Sequence, residues 1–104
     1  MSADALRRHT LDAETARSVA ERFKILADPT RVRLLSLLAQ REFCVSELTE
    51  ILGMEQSAVS HQLRTLRGFQ LVRHRKVGRQ VYYRLKDQDI QELLSHSLAH
   101  MRAV

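Results

Sequence analysis

Apolar residues recur at helical spacing along most of the chain, whereas residues 71–85 hold two short runs of β-branched or aromatic residues on either side of a polar stretch. The first helical run covers residues 12–27, and its apolar positions are Ala16, Val19, Ala20, Phe23 and Ala27. Asp12 is a suitable N-cap, and Pro29 fits the first turn of a following helix, where its missing N–H is not needed. That second helix carries Val32, Leu34, Leu35, Leu37 and Leu38. It is too apolar for a surface helix, so it is predicted to be the buried core helix.

Residues 46–67 are predicted to form two helices joined by a sharp turn. The first has an apolar stripe at Leu48, Ile51 and Leu52. Ser46 is its predicted N-cap, and Gly53 can adopt the left-handed conformation that ends a helix. The second helix is predicted from about Gln56 to Arg67, with Val59, Leu63 and Leu66 on its inner face.

The outer face of this second helix is polar and carries no acidic residue. It consists of Gln56, Ser57, Ser60, His61, Arg64 and Arg67. Such side chains donate to phosphates or form hydrogen bonds with base edges, so the pair of helices is interpreted as a helix-turn-helix whose second helix enters a major groove. The alternative is an ordinary helical hairpin with a solvated polar face.

Residues 71–85 predict a β-hairpin directly after this helix, with a polar, glycine-containing connection over residues 75–80. A hairpin in this position is a wing. Its basic residues are Arg73, Arg75, Lys76 and Arg79. Of these, Arg75, Lys76 and Arg79 are the predicted contacts to backbone phosphates or an adjacent minor groove. Residues 42–45 are predicted to add at most a brief strand to the hairpin.

Positive charge is concentrated in the same part of the chain. Residues 56–86 contain 8 basic and no acidic side chains, whereas the rest of the chain carries 9 basic and 12 acidic ones. The net charge of +5 is therefore a basic segment offset by a mildly acidic scaffold. Segregation of this kind is typical of a protein that binds a polyanion. Arg31 and Arg33 could lie near DNA or in water.

Length and composition restrict the class of protein. At 104 residues the chain is predicted to be one domain, with residues 1–11 as a loose tail and residues 12–104 as the DNA-binding and dimerisation domain. No run of eighteen apolar residues and no signal-peptide core is present, and one cysteine cannot form an internal disulfide, so a cytoplasmic location is expected. No phosphate-cradling glycine loop or nucleophile–base spacing indicates an enzyme.

The last helix is predicted to run from residues 87–89 to about Arg102 with two adjoining stripes. One holds Ile90, Leu94, Leu98 and Met101, and the other holds Asp89, Leu93, His96, His100 and Ala103. A helix with two such faces requires two partners, interpreted as the domain core and a second subunit. Asp89, His96 and His100 share a narrow sector of this helix. They are interpreted either as metal ligands or as polar residues of a dimer interface that binds no metal.

The chain resembles the ArsR/SmtB family of bacterial metal-sensing repressors from about residue 22 to residue 102. The resemblance rests on LADPTR at 26–31, FCVSEL at 43–48, GMEQSAVSHQLR at 53–64 and GRQVYY at 78–83. It implies a mainly α fold with a small β-hairpin, a dimeric winged helix-turn-helix. It also implies a repressor that binds a palindromic double-stranded DNA operator as a homodimer and loses DNA affinity when metal binds.

The resemblance implies a metal site on the last helix, shared between subunits. The family positions correspond to Asp87, Asp89, His100 and Ala103, and alanine cannot coordinate, so the missing ligand is expected from His96, from water or from a nearby carboxylate. Asp89 and His100 are eleven residues apart, roughly 16 Å along a helix, whereas metal–ligand bonds are about 2 Å long. One helix therefore cannot offer both to one ion, but two antiparallel copies can. Oxygen–nitrogen ligand sets suit zinc, with cobalt or nickel as further candidates.

Cys44 is a candidate residue for sensing a signal other than a metal. The arsenic-type thiolate site of the family needs a cysteine pair around this position, but Cys44 is followed by Val45 and Ser46. Cys44 is therefore interpreted as a small core or interface residue, with a redox sensor as the alternative. The third possibility is a dimeric interaction module whose basic face binds an acidic protein.

Overall fold

A computed structural model describes residues 1–102, so the expectation concerning Ala103 lies outside the described residues. Six helices and a three-stranded sheet make up the described part of the chain. In chain order they are α1 (Ala3–His9), α2 (Ala13–Leu26), α3 (Pro29–Leu38), β1 (Phe43–Cys44), α4 (Val45–Leu52), α5 (Gln56–Gly68), β2 (Val72–Val77), β3 (Gln80–Leu85) and α6 (Gln88–Arg102). This is the predicted mainly α fold with a small β-hairpin, arranged as a winged helix-turn-helix.

The core is built where α3, α4 and α5 meet the sheet. Its completely buried side chains are Leu34, Leu35, Leu48, Val59, Leu63 and Leu66. The prediction of a buried α3 is confirmed for Leu34, Leu35 and Leu38, whereas Val32 is 37% exposed at the helix surface.

Side-chain caps begin α2 and α3 at the predicted residues. Asp12 Oδ1 accepts a hydrogen bond of 2.8 Å from the backbone N–H of Thr15. Asp28 Oδ2 accepts one of 3.0 Å from the N–H of Arg31, and Pro29 occupies the first turn of α3. These bonds satisfy N–H groups that have no partner within the helix, which explains why both helices begin at these residues.

Helix α4 begins at Val45, two residues earlier than an N-cap at Ser46 predicts, so the prediction of Ser46 as N-cap is wrong. Cys44 occupies the N-cap position, and the side chain of Glu47 accepts a 3.0 Å hydrogen bond from the Cys44 backbone N–H. Glutamate three residues after the cap can satisfy that N–H without a hydroxyl cap. The predicted end of α4 is confirmed, since Gly53 has a φ of +63°.

The sheet is antiparallel with strand order β1-β3-β2. Phe43 pairs with Tyr83, which confirms the brief strand suggested for residues 42–45. The sequence placed residues 75–80 in the connection of the hairpin, but the strands extend further than that. Val77 pairs directly with Gln80. Only Gly78 and Arg79 form the turn, and Gly78 has a φ of +60°, as a two-residue turn with glycine first requires.

The first residues are not a loose tail throughout. Ala3–His9 forms α1, whose N-terminus is capped by the Ser2 hydroxyl accepting from the Ala5 N–H at 3.2 Å. The polar composition suggested an irregular segment, but a serine cap and helix-favouring residues are sufficient for two turns. No residue of α1 is buried.

The apolar stripe of α2 is largely exposed within the protomer. Phe23 is 59% exposed and Val19 38% exposed, and Ile25 is the one buried residue of α2. Helix α6 buries no residue at all, although Ile90 and Leu94 pack partly against the core. The Cα radius of gyration is 17.1 Å, against about 13 Å for a compact chain of this length. The apolar faces of α2 and α6 are therefore largely exposed to solvent in one protomer.

Candidate DNA interface and metal-ligand residues

The recognition helix α5 is held by its inner face and open on its outer face. Val59, Leu63 and Leu66 are completely buried. On the opposite side the structure leaves Gln56, Ser57, His61 and Arg64 exposed and Ser60 half-buried. The core thus fixes the helix while five of the predicted DNA-contacting side chains remain on its accessible face.

Arg31 anchors this helix to two others, a role that the sequence did not reveal. Its Nε donates a 2.9 Å hydrogen bond to Oε1 of Gln62 on α5, and its Nη1 donates a 3.2 Å bond to the carbonyl oxygen of Ile25 in the last turn of α2. The side chain is half-buried. Arg31 therefore neither lies free in water nor points out as a DNA contact, the two possibilities raised by its position in the sequence.

The first helix of the helix-turn-helix begins at a charged cluster. Arg41 Nη2 lies 2.8 Å from Oε2 of Glu47, and the Arg41 guanidinium stacks over the ring of Phe43 at 3.8 Å. The hydrogen bond from Arg41, together with that from the backbone of Cys44, lowers the pKa of Glu47 from 4.5 to about 2. The carboxylate is therefore ionised when it caps α4, where negative charge is favourable.

The wing presents Lys76 and Arg79 to solvent, Arg79 in the turn and Lys76 near the end of β2. Arg75 lies in the middle of β2 and is exposed as predicted, but its guanidinium is already engaged. Its Nη2 lies 2.6 Å from Oε1 of Glu42, and its Nε donates to both Glu42 oxygens. This pairing lowers the pKa of Glu42 and raises that of Arg75. Glu42 lies outside the acid-free segment 56–86, so the charge pattern of that segment gave no sign of this partner.

A second contact joins the recognition helix to the wing. Arg67 Nη1, at the end of α5, lies 2.8 Å from Nε2 of His74 on β2. The His74 ring stacks on Tyr83 of β3 with 5.7 Å between ring centroids. Tyr83 is buried, so this chain of contacts connects the end of α5 to the core of the sheet.

The predicted metal ligands lie on and just before α6. Asp89, His96 and His100 are all exposed on this helix. Asp87 precedes it, and its Oδ1 accepts a 3.0 Å hydrogen bond from the Asp89 backbone N–H, as an N-cap does. One oxygen of Asp87 thus stabilises the helix start and the other is free of that bond. Within residues 1–102 of one protomer, no three histidine, cysteine or acidic side chains form a metal-binding group.

Cys44 is buried, 5% exposed, and its Sγ lies 3.2 Å from the Ser46 hydroxyl. This burial agrees with the interpretation of Cys44 as a core residue. A thiol that senses oxidants has to be accessible.

Comparison with known proteins identifies the family. A family model described as "Bacterial regulatory protein, arsR family" matches residues 28–74. The chain is 45% identical over 92 residues to a transcriptional repressor SmtB homolog of Synechocystis, covering 88% of this chain and 70% of that protein. It is 36% identical over 87 residues to a cadmium resistance regulatory protein CadC homolog of Staphylococcus aureus, covering 83% and 72%. A homodimeric winged helix-turn-helix DNA-binding domain from Mycobacterium bovis superposes with a TM-score of 0.76 at 30% identity, covering 89% and 88%.

The fold and the exposed face of α5 define a winged helix-turn-helix regulator. The extent of the similarity then assigns it: the chain belongs to the arsR family of bacterial regulatory proteins. It is a DNA-binding transcriptional regulator of the repressor class and not an enzyme. Across residues 1–102 no helix has the length and apolar character needed to span a membrane.

Proposed function

We propose that this protein is a homodimeric repressor that releases a palindromic operator when a divalent transition metal binds between its C-terminal helices. Zinc is the first candidate, with cobalt and nickel as the others. The observation that carries the proposal is the position of Asp89, His96 and His100, exposed on a helix that has no fully buried residue in its own protomer.

The dimer is supported by the apolar surface that one protomer leaves open. A groove of about 600 Å³ lies between α2, the end of α5 and the start of α6, and Phe23, Phe69 and Leu93 contribute to its walls. All three are exposed large apolar side chains. A second copy of the chain packing along α2 and α6 would cover them, and the M. bovis relative is described as homodimeric.

The ligand set is supported by distance and chemistry. Asp89 and His100 lie roughly 16 Å apart along α6 at 1.5 Å per residue, which is too far for one ion. Two antiparallel α6 helices about a twofold axis bring Asp87 and Asp89 of one chain near His100 of the other, with His96 as the candidate fourth ligand. Carboxylate and imidazole are ligands that zinc, cobalt and nickel accept.

The site also has a physical connection to DNA binding. Asp87 lies between β3 of the wing and α6, so a bond there links the wing of one protomer to the partner's helix. The two recognition helices of a dimer have to reach successive major grooves about 34 Å apart. Fixing the protomers at another separation therefore lowers operator affinity, and DNA weakens metal binding by the same factor.

On the DNA side, we assign base contacts to Gln56, Ser57, Ser60 and His61. Phosphate contacts are assigned to Arg64, Lys76 and Arg79. The support is their shared exposure on α5 and on the wing turn, together with the absence of acidic residues from 56 to 86. Arg75 is not included in this assignment because its guanidinium is paired with Glu42.

The experiment that tests the metal switch is titration of a protein–DNA complex with zinc, cobalt or nickel while release is followed by fluorescence anisotropy. His100→Ala and His96→Ala are compared with His9→Ala, a control of the same chemistry at an exposed histidine on α1. We expect His100→Ala to raise the metal concentration for half-release by at least about tenfold, the equivalent of 1.4 kcal/mol. His9→Ala should leave it unchanged.

The outcomes separate the roles of the two histidines. If the His100→Ala variant releases DNA at the same metal concentration as the wild type, the proposed site is wrong. Loss of release in both α6 variants makes His96 the ligand that replaces Ala103. Loss in His100→Ala alone makes His96 an interface residue, with the fourth position taken by water or another group.

A further inference from the structure

Glu42 and Arg75 form the best-defined ion pair of the wing. Arg75 Nε donates to Glu42 Oε1 at 3.0 Å and to Oε2 at 2.9 Å, and Arg75 Nη2 donates to Oε1 at 2.6 Å. The guanidinium thus approaches the carboxylate along the edge that carries Nε and Nη2. This fork geometry is stronger and more directional than a single contact between two charges. The Glu42 side chain is 25% exposed, so it is held close to the protein surface.

The pair crosses the whole sheet. Glu42 directly precedes β1, Arg75 lies on β2, and β3 runs between these two strands. Tyr82 of β3 is paired with Arg75, and its ring lies 5.4 Å from the guanidinium carbon. The side chain of Arg75 is therefore directed back across β3 towards β1 and the start of the helix-turn-helix.

The neighbouring charges show what this contact does. Arg73 and Arg84 are directly opposite each other in the hairpin, and alternation along β2 places Arg73 on the same face as Arg75. Like charges opposite each other are unfavourable, and the carboxylate of Glu42 offsets part of this repulsion because Arg75 and Arg84 both act on it. Both Arg75 and Arg84 contribute to lowering the pKa of Glu42, which keeps the carboxylate ionised.

We propose that Glu42 is a positioning residue for DNA binding that holds Arg75 on the sheet and away from the phosphates, leaving Lys76 and Arg79 as the phosphate contacts of the wing. The inference rests on the proposed contact between wing and DNA. Its consequence is a limit on sequence-independent affinity, because each cation near a phosphate raises that affinity for every sequence equally. A repressor gains selectivity when an arginine of its wing is withheld from that role.

The test measures affinity for a mixed-sequence duplex about two helical turns long, over a range of 50 to 200 mM salt. Glu42→Gln keeps the shape of the side chain and releases Arg75. We expect the log–log salt slope to steepen by about 0.9 per protomer in contact, which is roughly a three- to fourfold larger change in affinity over that range. The double variant Glu42→Gln/Arg75→Gln should return the slope towards that of the wild type.

Two matched variants define the controls. Glu14→Gln removes the same charge from an exposed position on α2 and should leave the slope unchanged. Lys76→Gln removes a proposed phosphate contact and should flatten the slope by about 0.9, whereas Arg75→Gln should flatten it by clearly less. Thermal melts of every variant establish that it is folded, and Glu42→Asp, which shortens the reach to Arg75, provides a second way to weaken the pair.

The results distinguish this inference from the proposed function. If Arg75→Gln flattens the slope as much as Lys76→Gln, Arg75 already contacts phosphate and the inference is overturned. An unchanged slope in folded Glu42→Gln and Glu42→Asp overturns it as well. If Lys76→Gln and Arg79→Gln have no effect on the slope, the contact between wing and DNA fails instead, whatever Glu42→Gln does.

Discussion

The recognition helix α5 and the C-terminal helix α6 differ in where their apolar faces are completed. They are 13 and 15 residues long, and both are amphipathic. Helix α5 buries Val59, Leu63 and Leu66 completely, while α6 buries none of its residues in the protomer. The helix to which we assign the base contacts is thus packed within its own chain. The helix that carries the proposed metal ligands leaves most of its apolar surface exposed, so the proposed regulation lies where the protomer is incomplete.

The largest expected effect comes from removing the same apolar side chain from each helix. Leu63→Ala leaves a cavity in a completely buried site and should lower the free energy of unfolding by about 2–5 kcal/mol. Leu98→Ala, at a position 43% exposed in the protomer, should cost less, and its cost should depend on protein concentration. Denaturant unfolding at several concentrations measures both. Equal, concentration-independent losses would contradict the contrast between the helices.

The second prediction tests the apolar face that α6 leaves exposed in the protomer. Leu93→Glu places a charge on the exposed apolar face of α6, where a partner is expected to pack. We expect the dissociation constant of the dimer to rise about a hundredfold, or roughly 2.7 kcal/mol. Sedimentation equilibrium measures the shift, and Gln91→Glu, an exposed polar position on the same helix, is the control. A dimer that is unaffected by Leu93→Glu uses another surface.

The third prediction concerns the exposed outer face of α5, the helix whose apolar side is buried within the protomer. His61→Ala should reduce discrimination between operator and random DNA by roughly 1–3 kcal/mol if His61 makes one good base contact. Because His61 is exposed and distant from the core face of α5, the free energy of unfolding should change little. Competition binding against random duplex measures the discrimination. Equal weakening on both DNAs would assign His61 to phosphate contact.

The smallest expected effect is a pH dependence at the start of α4. The pKa of Glu47 is lowered from 4.5 to about 2 in the folded protein, first by the hydrogen bond from Arg41. Its contribution to stability is therefore complete above about 4.5 and is lost as the pH falls towards about 2. Glu47→Gln should reduce the acid dependence of unfolding in that window relative to Glu14→Gln. Identical acid profiles for the two variants would show that the Glu47 bonds do not persist in solution.

Local patterns in the sequence predicted α2 to α6 and the hairpin, but not α1 and not the contacts between the elements. The bounds and inner face of α5 followed from helical spacing, and Asp12, Pro29 and Gly53 marked helix ends, because these signals act within a few residues. The stripe of α2 also predicted a helix, but spacing does not say whether a face packs inside the protomer or outside it. Phe23 shows the difference, since it lies on the predicted face and is mostly exposed.

In the candidate site, too, local patterns predicted which residues share a face but not which residues from distant parts of the chain contact them. The predicted residues of α5 are exposed on one face, as expected from their spacing. The partners of Arg31 and Arg75 are 31 and 33 residues away, on elements whose packing no local pattern encodes. Both arginines looked alike in the sequence, as basic residues near a DNA-binding motif. One joins helices and the other is paired with a carboxylate, so charge counts overestimate the number of cations available to DNA.

The three bonds of Arg31 join three helices of one protomer. Its backbone N–H donates to Asp28 at the cap of α3, and its guanidinium donates to Gln62 of α5 and to the carbonyl oxygen of Ile25 in α2. If the proposed metal switch acts through the dimer interface, we expect α2, α3 and α5 to move together as one unit, so that a change at the interface reaches the outer face of α5 without a change inside the protomer.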